Sequence, residues 1–297
     1  MSVATRDRDA RPAAAIVEPS GARALRAVVR RGLRDNRRAP LAWGGSLGTL
    51  SGLTAAMWPA IDDSMNELMK SYPPALKEAF GIADISGVEA YVDAEMLSLI
   101  LPLAIAFLAV RCAARAISTA EERGHLDTLL AAPLARRTLV AGAFLVCAVV
   151  VAAVLAVITA LTWLAGGVAG SDPSLAVLGR GFANIWPLSM LFGGLAPLAA
   201  GALHRAASVT AVSVGTLIAM YIVDLVSKLA DPIEPLRYAS AFRYYGSAVR
   251  DGIDPLAFAG LIFAGAVLAA LGAFLFERRA SFRPALQVVP RSVEARR

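Results

Sequence analysis

The stretch Thr138–Gly166, TLVAGAFLVCAVVVAAVLAVITALTWLAG, holds no charged residue over 29 consecutive positions. About 20 apolar residues in a helix suffice to cross the hydrocarbon of a bilayer. Only helices and closed barrels satisfy every backbone group in lipid, and this run lacks the period-two alternation of a barrel strand. It therefore reads as a membrane helix. At about 1.5 Å per residue it exceeds the hydrocarbon thickness, so a tilt or a protruding end is expected.

Working outward from this run, the same reading recurs. The 297 residues are 57% hydrophobic and 18% charged, against about 45–50% and 25% in soluble domains. Six spans are expected, at about 40–59, 95–117, 138–166, 182–203, 206–228 and 255–276. The first opens at Pro40 and carries Trp43 and Trp58 near its ends, where interfacial aromatics belong. The fourth contains Pro187, Gly193, Gly194 and Pro197 and is expected to be bent or broken. The fold class predicted is an all-α integral membrane protein.

The basic residues give an orientation. Of 29 Lys and Arg, 22 fall in the segments 1–39, 111–137, 203–205 and 277–297, and seven fall in the loops between. Both termini are thus expected in the cytoplasm. Acids collect on the other side, where one loop holds Asp62, Asp63, Glu67, Glu78, Asp84, Glu89 and Asp93. The net charge of +6 reads as a basic inner face over an acidic outer one, with no nucleic-acid partner. Residues 1–19, rich in Ala, Arg, Asp and Pro, are expected to form a disordered tail. Residues 1–39 hold ten arginines and no apolar h-region, so the first hydrophobic run reads as a span and not as a cleaved signal. Residues 277–297 form a second cytoplasmic tail.

Between tail and first span, residues 20–39 include GARALRAVVRRGLRDNRR. Leu25, Val28, Val29 and Leu33 fall on one helical face, with arginines filling the rest. Such a helix lies in the membrane interface, its arginines toward anionic headgroups. Anchoring of the first span and contact with a cytoplasmic partner are both open to it.

A second polar element separates spans two and three. Segment 118–137 contains Glu121, Glu122, Gly124, His125, Leu126, Asp127, Leu129 and Leu130, then Pro133, Arg136 and Arg137. The leucines at 126, 129 and 130 form a short ridge at i, i+3, i+4, and Pro133 ends that turn. The residues alone suit equally a short amphipathic helix on the membrane surface and a solvated loop.

The run Ile117–Leu145, ISTAEERGHLDTLLAAPLARRTLVAGAFL, resembles the junction between spans two and three of ABC-2-type ABC-transporter permeases. Paired acids, a Gly-x-Leu-acid-x-Leu-Leu core, a small-Pro step and two basic residues occur there in this order. The basic elbow helix, the six spans, the acidic first outer loop and the closing Phe276–Arg279 resemble the same family. The chain departs from it where Ala280-Ser281 replace an Asp-Leu continuation and where Ser240-Ala241 replace a Ser-Pro pair.

The resemblance implies an ABC-2-type exporter fold and the permease subunit of an ATP-driven exporter; the high Ala, Gly and Arg content with only three lysines points to a bacterial plasma membrane. It further implies that the junction docks on a separate ATP-binding subunit through Glu121, Glu122, Gly124, His125, Leu126, Asp127, Leu129 and Leu130. Contacts from Arg26, Arg30 and Arg34 to the same partner are implied too, as is pairing with a second permease, a copy or a paralogue. Drug-like, lipid-like or other amphiphilic cargo is the expectation.

The chain offers no ATPase of its own. A P-loop places Lys after Gly in G-x-x-x-x-G-K-[ST], and none of Lys70, Lys77 and Lys228 follows a glycine. ATP and magnesium would be used by the partner, with no cofactor, metal or catalytic residue expected in this chain. Cys112 and Cys147 read as structural. Asp224 is the one acid well within an apolar span, a functional candidate by default, although a span ending near Lys228 would place it at the interface. Two other classes compete with the permease reading. A lipid-modifying membrane enzyme would need a polar constellation that the two histidines, His125 and His204, do not supply. A non-transporting scaffold or sensor would use the same spans to hold a partner.

Overall fold

The computed structural model describes residues 21–71, 87–122, 136–203, 205–228 and 231–281. Regular structure among them is wholly helical. Helix α1 (Gly21–Asp35) is followed by a π turn (Pro40–Gly44) that runs into α2 (Gly45–Ser71). Next, α3 (Val88–Val92), a π segment (Asp93–Ile100) and α4 (Leu101–Glu122) form one continuous rod. Helix α5 (Arg136–Ala169) is followed by α6 (Leu175–Ala183), α7 (Ile185–Ala202) and α8 (Ala206–Ser227). A 3-10 helix (Asp231–Ala239), α9 (Ala241–Tyr245) and α10 (Pro255–Ser281) complete the order.

Five helical stretches are long and apolar enough to cross a membrane: Val88–Arg115, Arg137–Ala169, Leu175–Ala202, Ala207–Ser227 and Pro255–Leu275. They match the second to sixth expected spans, with Val88 and Leu175 each seven residues ahead of the expected start. The first expected span is a helix but not among the five. Gly45, Ser46, Gly48, Thr49, Ser51, Gly52 and Thr54 dilute its apolar character.

No break appears at the prolines and glycines of span four: Ile185–Ala202 is one helix, separated from α6 only at Asn184, whose backbone stays helical. Pro187 is the third residue of α7, where a missing N–H costs no intrahelical bond. Helix α7 is the axis of the bundle, with Leu188, Met190, Phe192 and Ala196 fully or almost fully buried. One core joins α2, α3, the π segment, α4, α5, α6 and α7, and a second joins α4, α5, α7, α8, α9 and α10. Large apolar side chains such as Phe263 (71% exposed) and Leu256 (82%) cover the outside, the inverse of a soluble fold.

Close helix packing here is built from glycine. Helices α7 and α10 make the most extensive contact of any pair. At their crossing, a Cβ on Gly194 would overlap the Gly265 carbonyl, and one on Gly272 would lie 2.5 Å from the Pro197 carbonyl carbon. Helix α2 and the π turn before it use Gly44, Gly48 and Gly52, each about one turn apart, against Val157, Leu161 and Ala165 of α5. Van der Waals packing between small residues is what drives helices together in lipid. A hydrogen bond of 2.9 Å joins the hydroxyls of Ser51 and Thr162 across that seam, and the Trp186 indole N–H donates to the Ala148 carbonyl at 2.9 Å to tie α7 to α5.

Candidate functional site

Three polar features stand out from this apolar bundle, one at the end that carries α1 and two at the opposite end. At the α1 end, α4 closes with Glu121 and Glu122, and α5 begins at Arg136. The remaining expected docking residues, Gly124, His125, Leu126, Asp127, Leu129 and Leu130, lie outside the described residues. What the structure places are the two helices that hold the junction. Arg111, Arg115 and Arg137 are exposed on them, so the rim on either side of the junction is basic.

Helix α1 lies against the beginning of α5. Val28 packs on Gly142 and Gly32 on Val146, close enough that a Cβ at either glycine would need its neighbour to move. Val28, Gly32 and the partly buried Leu25, Val29 and Leu33 lie toward α5, and its arginines are exposed. Arg26, Arg30 and Arg34 are exposed and border a groove of about 630 Å³ whose floor is Leu25, Val29, Leu33 and Leu145.

At the other end, Asp224 is buried on α8 and bound by two cations. Lys228 Nζ lies 2.7 Å from Oδ2, and Arg237 Nε donates to Oδ1 at 3.0 Å. Lys228 is one turn away on the same helix, and Arg237 comes from the 3-10 helix that follows. Ser240 Oγ donates to the Met220 carbonyl at 2.7 Å beside them. The carboxylate therefore fastens the chain reversal after α8, and its charge is compensated where it sits.

The second cluster at that end escaped sequence reasoning. Asp93, which counts in the sequence only as one of seven acids in a loop, is 5% exposed. It accepts from Ser247 Oγ at 2.6 Å and pairs with Arg250 at 3.3 Å. Nearby, Tyr245 donates from its hydroxyl to the Leu97 carbonyl at 3.2 Å, Asn184 Nδ2 donates to the Tyr245 carbonyl, and Arg180 donates to the Val249 carbonyl at 2.7 Å. Burial, aided by the Asp93 charge, pushes the Tyr245 phenol well above its ordinary range, so it stays a donor. Together these bonds clamp residues 245–250 onto the π segment and α6. The signal available in the sequence was position: Asp93 directly precedes the apolar run of span two, where an unpaired acid is costly.

Cys112 and Cys147 are buried free thiols in contact with each other, the latter also donating to the Ala109 carbonyl at 3.6 Å. Among the described residues, no three His, Cys, Asp or Glu side chains gather in a metal-binding arrangement. Every buried acid located here serves to hold helices and loops together.

The family model described as "Multidrug efflux system permease Rv1217c, C-terminal domain" matches residues 27–277. No curated protein gives a significant match.

Proposed function

Since the chain belongs to the family of the multidrug efflux permease Rv1217c C-terminal domain, a membrane permease family, we propose that it is the membrane-spanning subunit of an ATP-driven ABC-2-type exporter. The observation that carries this reading is the extent of the match. It begins inside α1 and ends inside α10, so it takes in every helix of the bundle. The cargo class this suggests is drug-like, lipid-like or otherwise amphiphilic.

In this reading α2 is the first of six spans. Its glycine seam with α5 and the Ser51–Thr162 bond are membrane-type helix packing, although its hydropathy is lower than that of the other five. Both termini then lie in the cytoplasm, α1 is the interfacial elbow, and the clamps at Asp93 and Asp224 close the outer ends of the spans. ATP and magnesium belong to a separate subunit, which docks on segment 118–137 through the acids Glu121, Glu122 and Asp127 and the ridge Leu126, Leu129 and Leu130. A second permease, a copy or a paralogue, completes the pathway in the plasma membrane.

The test is to replace Leu126, Leu129 and Leu130 together by Ala in a cell that also makes the ATP-binding subunit. Membrane insertion is expected to persist while subunit capture and drug export are lost. Export at the unaltered level would sink the docking assignment.

A further inference from the structure

We infer that the groove between α1 and α5 binds one anionic phospholipid, with an acyl chain along its apolar floor and the phosphate held by Arg26 and Arg30. Two surface concavities lie along α1. The larger, about 630 Å³, is floored by Leu25, Val29, Leu33 and Leu145 and edged by Arg26, Arg30, Arg34 and Arg37. A second, about 370 Å³, is lined almost wholly by arginines and shares Arg26, Arg30 and Arg34 with the first. The three arginines stand one turn apart and form the crest between an oily trough and a basic one.

Charge selects an anion for this crest. Asp35 is the sole acid of α1, and no ion pair engages Arg26, Arg30 or Arg34 among the described residues. Guanidinium groups a turn apart can share the oxygens of one phosphate, each through parallel N–H donors.

The trough selects a lipid over an acidic peptide. Its floor does not end at the helix. Leu145 (44% exposed) is followed one turn later by Val149 (49% exposed) on the same face of α5, a helix long and apolar enough to cross the membrane. The trough therefore runs from the arginines into the region of acyl chains, where a soluble partner has no access. A lipid whose head lies on the crest has its chain directed along that path.

The inference rests on α5 crossing a membrane, and not on ATP coupling; it holds or fails whether or not an ATP-binding subunit exists. The test uses the full chain purified in an uncharged detergent. Native mass spectrometry follows binding of phosphatidylglycerol, phosphatidylcholine and inorganic phosphate. One phosphatidylglycerol is expected to bind at least about tenfold more tightly than phosphatidylcholine, with inorganic phosphate a poor competitor.

Arg26→Gln with Arg30→Gln is expected to erase that preference, bringing phosphatidylglycerol binding down to the level of phosphatidylcholine. Leu145→Trp, which fills the trough, is expected to weaken both lipids. Equal binding of the two lipids by the unaltered chain overturns the inference without any variant. So does effective competition by inorganic phosphate, which would reduce the site to an anion patch. Retained lipid preference in the double Gln variant, with weaker capture of an ATP-binding subunit in phosphatidylcholine nanodiscs, would make the crest a protein contact instead.

Discussion

Gly194 of α7 and Gly265 of α10 touch backbone to backbone, so that neither position has room for even a methyl group. A second contact of the same kind, Gly272 against Pro197, lies two turns further along α10. Gly194→Ala or Gly265→Ala is expected to force the helices apart at a cost of about 1–3 kcal/mol, the usual range for overpacking. Gly215→Ala on α8, where no atom lies within 4 Å, serves as the control. Thermal unfolding in detergent should show a lower Tm for the first two and no loss for the third. An unchanged Tm in Gly194→Ala would mean that the two backbones do not meet.

The seam between α2 and α5 has a graded signature. Losing the Ser51 hydroxyl is expected to cost only about 0.6 kcal/mol, typical of an interhelical bond in a membrane protein, because Thr162 keeps its 2.9 Å bond to the Ile158 carbonyl. Gly48→Leu should cost far more, since a Cβ there already stands 2.8 Å from a Leu161 methyl carbon. A double-mutant cycle of Ser51→Ala with Thr162→Val measures the pair directly. A coupling near zero would argue against their contact.

Asp93 and Arg250 should respond unequally to loss of their partner. The side chain of Asp93 is 8% exposed and that of Arg250 is 41% exposed. Arg250→Gln leaves a buried carboxylate with only Ser247 and is expected to cost about 1–3 kcal/mol. Asp93→Asn is expected to cost less, since the arginine can turn to water and the introduced amide can still bond Ser247. Comparison of urea or thermal midpoints for the two variants gives the order. The reverse order would show that the burial of Asp93 is not maintained.

Asp224 separates a structural role from one in the transport pathway. With Lys228 and Arg237 both bound to it, Asp224→Asn is expected to lower the Tm and leave the ranking of exported compounds unaltered. Arg237→Gln should give a smaller loss of the same kind, because Lys228 remains. A changed ranking of drugs at an unaltered Tm would place this carboxylate in contact with cargo.

Membrane helices are legible because lipid imposes one requirement, a long apolar run, and the sequence states it directly. The run at Thr138–Gly166 became α5 with three or fewer residues added at each end. The prolines and glycines of span four suggested a break that the helix does not show there, since Pro187 and Pro197 are tolerated within α7. Partnership was not legible. A glycine such as Gly194 announces a close approach but not to which helix, and the Asp224–Arg237 bond joins groups on separate elements. Asp93 was hidden for the same reason, as its burial is created by Ser247 and Arg250, which arrive from a distant part of the chain. The first expected span lay outside the five apolar stretches, because its glycines and serines serve packing at the expense of hydropathy.

The 34 residues of α5 form an unbroken helix about 50 Å long. One extremity abuts α1 at Gly142 and Val146, and the other meets α2 and the turn at Pro173 through Gly166. With no interruption between, the helix joins the α1 contact at one end of the bundle rigidly to the α2 contact at the other, so a displacement of either end would reach the other as a tilt. Any such tilt would have to slide along the glycine seam that α5 shares with α2.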